Sequence, residues 1–75
     1  MYGLGKRRSR FGRFMDSRGI KQEEVRKVSR LNRETVAKAF NEDHPEMRAI
    51  TKQALIRAAQ KLTGENVTAD DFWPL

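Results

Sequence analysis

Apolar positions in the first forty residues recur every three or four places, and each run ends at a polar corner. Phe11, Phe14 and Met15 fall at i, i+3 and i+4, the spacing of a single helical face. Ser9 stands where an N-cap belongs and Gly19 where a left-handed C-cap would stop the chain. A first helix is therefore predicted over about Ser9–Arg18. Ile20 leads into a second, roughly Gln22–Ser29, with Val25 and Val28 facing inward. Glu23 and Glu24 lie in its first turn and Arg26 and Lys27 nearer its end, the signs that suit the helix macrodipole. A third helix, Arg33 to about Asn41, turns Val36 and Phe40 inward. Between these two, Ser29-Arg30-Leu31-Asn32 breaks the periodicity, and Leu31 adds to the inward stripe. The Asn32 side-chain oxygen is placed to take the orphan amide of Thr35.

The second half of the chain continues the pattern. Pro45 follows a polar turn and fits a helix start, so a fourth helix is expected over about Glu46–Leu62. Its apolar stripe is Met47, Ile50, Ala54, Leu55, Ala58, Ala59 and Leu62, which should close the core beneath the first and third helices. Thr63-Gly64 ends it. Thr68, with Asp71 three residues on, reads as the capped start of a short last helix. Phe72, Trp73 and Leu75 are too apolar for a free tail. Either they pack on their own domain or they form a partner's contact patch; Phe72 is expected to face inward, and Trp73 and Leu75 to form a dimer or partner surface. The fold class is all-α: a compact four- to five-helix bundle over residues 9–75, preceded by a flexible basic arm, residues 1–8.

Composition narrows the class. The chain has 75 residues, enough for a single small core, and dimerisation would be a natural way to bury more area. No cysteine and a single histidine leave no disulfide and no ordinary zinc finger. His44 is expected to be simply exposed, and neither a metal nor a cofactor is implied. No apolar run approaches the roughly 20 residues that span a bilayer, and no signal peptide is evident. Those readings predict a cytoplasmic protein, or one associated with the nucleoid of a bacterial or phage-infected cell. Charge is unevenly placed: residues 1–40 hold 12 Lys/Arg against 4 Asp/Glu, a balance of +8, and residues 41–75 hold 4 against 6, a balance of −2. A basic half beside a mildly acidic one is the pattern of a polyanion binder, whereas a merely solvated surface needs no such asymmetry.

The residues of the second and third helices carry a resemblance. Gln22-Glu23-Glu24-Val25, Ser29 and Leu31-Asn32-Arg33-Glu34-Thr35-Val36 resemble the helix-turn-helix of phage repressor and Cro proteins, the Xre-like family. The motif occupies about 21–41. Three positions depart from the family pattern: Lys21 replaces a Ser or Thr cap, Arg26 a small Ala, and Arg30 the corner Gly. Arg26 must snorkel outward or splay the two helices. Arg30 costs about 1 kcal/mol if the corner needs a positive φ.

The resemblance implies that the third helix reads bases in the major groove. Arg33, Glu34, Thr35 and Lys38 are the candidate readers. Arg pairs bidentately with guanine, Glu accepts from the cytosine amino group, and Thr offers a methyl to thymine or a hydroxyl to a phosphate. The competing reading of Glu34 and Lys38 is an ordinary i, i+4 ion pair. Gln22 and Asn32, both at helix N-termini, are the expected phosphate contacts, together with Arg30 and the basic residues Lys6, Arg7, Arg8, Arg10 and Arg13. Aromatics interleaved with Arg10 and Arg13 could suggest stacking on single strands, but at helical spacing they read as core.

The expected function is a sequence-specific, double-stranded DNA-binding transcriptional regulator of the phage or mobile-element repressor kind. It would act as a homodimer or as paired monomers on a palindromic site. The alternative is a protein-interaction module (antirepressor, antitoxin or adaptor) with a protein partner. A weaker third is RNA or single-strand binding by the arm. No nucleophile–base pair, phosphate loop or ligand set suggests an enzyme.

Overall fold

A computed structural model of the chain describes residues 8–43 and 45–73. Expectations placed on Lys6, Arg7, His44 and Leu75 lie outside these. The described residues form five α-helices and no strand: α1 (Arg10–Ser17), α2 (Gln22–Ser29), α3 (Arg33–Asn41), α4 (Ala49–Thr63) and α5 (Ala69–Phe72). The all-α bundle expected from periodicity is the fold.

Local chemistry sets most of the boundaries. The Ser9 hydroxyl accepts the Gly12 amide at 2.9 Å and caps α1, while Gly19, at φ 70°, turns the chain out of it. Asn32 accepts the Thr35 amide at 2.8 Å and caps α3. The Glu24 carboxylate reaches back to the Lys21 amide at 3.1 Å, and Asp71 does the same for Thr68 at 2.8 Å.

Ser9 also joins two helices. Its amide donates to the Phe40 carbonyl at 2.8 Å and its hydroxyl to the Ala39 carbonyl, while Lys38 takes the Glu42 amide. Three of the last four carbonyls of α3 are thus satisfied, two of them by one buried residue of another helix. Asp43, just past α3, returns the bond by accepting the Arg10 amide at 2.9 Å.

Phe11 is the centre of the core. Phe40, Phe72 and Trp73 surround it at ring-centroid distances of 5.5, 5.2 and 5.5 Å, the first two edge-on and Trp73 stacked. Met15, Ile20, Val25, Val36, Ala39, Leu55, Ile56, Ala58, Ala59 and Val67 complete the buried hydrophobic core.

Five expectations are corrected. Trp73, expected on a partner surface, is only 5% exposed: its ring lies flat against Phe11, so α5 closes the bundle's own core. The fourth helix begins at Ala49, not Glu46. Residues 45–48 are outside the helix, Arg48 extended, with Pro45 and Met47 facing the core and Glu46 and Arg48 facing out. The face that α4 buries is centred on Leu55, Ile56, Ala58 and Ala59. Ile50 shares the outer face with Gln53 and Arg57 and is 72% exposed. α4 packs chiefly on α2 rather than beneath α1 and α3. Val28, read as inward, is 38% exposed, because the α4 residues beside it, Ala54 and Ala58, are too short to cover it.

Candidate nucleic-acid interface

α2 and α3 meet at a corner that depends on Arg30. Its φ of 63° is the only positive value at a described non-glycine residue, and its amide closes the last turn of α2 on Arg26 at 2.9 Å. This is the left-handed conformation expected of the corner, held by an arginine at the cost of backbone strain. The side chain itself is exposed.

Beyond the corner, α3 buries Val36, Ala39 and Phe40 and leaves Arg33, Glu34, Lys38 and Asn41 exposed. Thr35 and Ala37 are half-buried at the edges of that face. Glu34, Ala37, Lys38, Asn41 and Glu42 line a shallow groove along it. Among the described residues neither Arg33, Glu34 nor Lys38 has an ion-pair partner, so the Glu34–Lys38 pair of the competing reading is not made. The B-DNA major groove, about 12 Å wide, admits an α-helix such as α3, whose diameter with side chains is about 10–12 Å.

Next to this face lies a cleft of about 390 Å³, lined by Arg8, Asp16, Lys21, Gln22, Glu23, Arg26 and Arg33 over Val36 and Phe40. It is assembled from α1, α2 and α3 and opens at the N-terminus of α2. Four cations and two carboxylates border it. Arg8, expected in the free arm, is docked here instead: its Nε lies 3.2 Å from Asp16 Oδ2 and its Nη1 donates to Asn41 at 3.3 Å. Its guanidinium sits 5.5 Å from the centre of the Phe40 ring. Gln22 is half-buried in the cleft, as its position at the helix start requires.

Arg26 does snorkel. It bends back along α2 and pairs with Glu23 through both guanidinium and carboxylate edges, Nε to Oε1 at 3.3 Å. The hydrogen bond from Arg26 holds the Glu23 carboxyl below its usual range; the charges of Arg26, Lys27 and Arg33 act the same way, against partial desolvation. Glu23 thus lies in the field of a residue expected to read bases.

The remaining candidates are more scattered. Asn32 uses its side-chain oxygen on Thr35, which leaves its amide nitrogen for a ligand. Arg10 and Arg13 are exposed on α1 and do not line the cleft. Lys21, Arg26, Asp16 and Glu23 were not singled out as site residues from sequence. Their charges were visible there, but their convergence depends on how α1 packs against α2 and α3.

Among the described residues no helix is long and apolar enough to cross a membrane, and no group of three His, Cys, Asp or Glu is placed to hold a metal. No family model, curated protein or solved structure matches the chain.

Proposed function

We propose that the protein is a sequence-specific, double-stranded DNA-binding transcriptional regulator, with α3 entering the major groove. The observation that carries this reading is the uncovered face of α3. Arg33, Glu34 and Lys38 stand exposed on it, with no ion-pair partner among the described residues, next to a cleft rich in cations. Arg33 and Lys38 read base edges, with Glu34 and Thr35 at the flanks. Gln22, Asn32, Arg30 and the cleft cations Arg8, Lys21 and Arg26 hold phosphates. Arg10 and Arg13 extend the basic surface outward. One such unit reads few base pairs, so it acts as a homodimer or as paired monomers on a palindromic site. With Trp73 inside the core, the self-association surface lies elsewhere on the molecule.

Selection of bound duplexes from a random library tests the proposal directly, and recovery of a consensus is the expected result. Arg33→Ala should then cost about 1–3 kcal/mol at one base position and relax specificity there. An equal loss on every sequence would remove Arg33 from the readout, and an unenriched library would sink the regulator reading itself.

A second reading, a protein-interaction module, draws on the half-covered groove between α2 and α4. Val28, Ala54 and Ala58 floor it, with Arg57 and Lys61 at its rim.

A further inference from the structure

The cleft at the start of α2 contains its own anions. Arg26 is held by Glu23 on the same helix face, and Arg8 is held by Asp16 across from α1. Arg26 donates a guanidinium edge to its carboxylate, the geometry it would present to a phosphodiester, while Arg8 meets Asp16 through Nε alone, 3.2 Å from Oδ2. Both pairs are well exposed, with side-chain exposures between 36% and 52%. Pairs of this kind are weak and screened by salt, so they yield to a competing anion. Lys21 and Arg33 line the same cleft with no ion-pair partner among the described residues.

We propose that Glu23 and Asp16 are internal stand-ins for phosphate: they occupy Arg26 and Arg8 in the free protein and give them up to the DNA backbone as α3 docks. This rests on the DNA-binding reading and adds to it a pair of residues that hold affinity down. Docking exchanges carboxylate for phosphodiester on two arginines, while Lys21 and Arg33 contribute charge that no carboxylate has to release. Each displaced carboxylate remains beside the duplex and gathers counterions of its own. The arginine it frees therefore adds less than a full phosphate contact to net ion release.

The prediction is unusual in sign, because removing a hydrogen-bonded partner tightens binding. Glu23→Gln keeps the size and polarity of the side chain and should raise affinity for random-sequence duplex roughly three- to tenfold near 100 mM salt. The slope of log affinity against log salt should steepen by up to about 0.9, as one more phosphate is neutralised without an opposing carboxylate. Asp16→Asn should act in the same direction through Arg8. Glu65→Gln is the control: it makes the same change in net charge by releasing Arg18, and neither residue lines the cleft. Fluorescence anisotropy with a labelled random duplex, across about 50–200 mM salt, reads all four proteins.

An unchanged slope in Glu23→Gln, or equal tightening in Glu65→Gln, overturns the exchange while leaving DNA binding intact. A wild-type protein that ignores duplex at low salt overturns both. Helical circular dichroism of each variant separates a lost fold from a lost contact.

Discussion

Gly12 lies so close to Phe40 that a Cβ added to it would stand 2.2 Å from the Phe40 carbonyl oxygen. A glycine inside a helix is otherwise a liability of about 1 kcal/mol relative to alanine. Here it lets α1 cross the end of α3 at backbone contact, and the same carbonyl accepts the Ser9 amide. The crossing positions the exposed face of α3 relative to the cleft.

Gly12→Ala should therefore destabilise despite its better helix propensity. The obstacle is backbone, so the helices must move apart and the bonds from Ser9 must stretch. A cost of about 1–3 kcal/mol is expected, with loss of some 4–20 °C in Tm for a domain of this size. Thermal melts followed by circular dichroism check this, and a Tm at or above wild type would show that the crossing can relax.

The bounds of α1, α2 and α3 were legible because their signals are local. Ser9, Asn32, Gly19 and the paired glutamates of α2 act within four residues of themselves. α4 failed the same test. Its start is set by Pro45 and Met47 packing on the core from outside the helix, and no capping side chain marks Ala49. Trp73 was misplaced because hydrophobicity alone does not say whose surface a ring will cover; a stacking partner 62 residues earlier, Phe11, decided it. Of the candidate site, the face of α3 follows from helical spacing. The cleft does not, since Arg8, Asp16 and Arg26 meet only once three helices have packed.

Arg18 gives a pH prediction. Its guanidinium lies 3.9 Å from the centre of the Phe14 ring and donates two bonds to Glu65, one at 2.8 Å, joining the end of α1 to the segment before α5. The hydrogen bond from Arg18 lowers the Glu65 carboxyl below its usual 4.5, against some desolvation, with the charge of Arg18 assisting. In that window the unfolded chain binds more protons than the folded one, so stability rises with pH through it. The contribution is complete above 4.5 and disappears as pH falls through the lowered value. Glu65→Gln should flatten this part of the acid limb, seen as a smaller shift in urea midpoint between about pH 3 and pH 6. An unaltered acid limb would mean the pair contributes nothing to folding.

Arg30 separates stability from binding in a single substitution. Its left-handed backbone, φ 63° and ψ 22°, is one glycine adopts without strain. Arg30→Gly should stabilise the fold by about 0.5–1 kcal/mol and raise Tm by about 2–8 °C. If the exposed guanidinium contacts a phosphate, the same variant should bind every duplex more weakly and lose about 0.9 from its salt slope. The two effects have opposite signs, so a general loss of structure cannot mimic them. A higher Tm with unchanged affinity would take Arg30 out of the phosphate set and leave the corner as its only cost. A lower Tm would mean that the side chain stabilises the α2–α3 corner by more than its backbone strain.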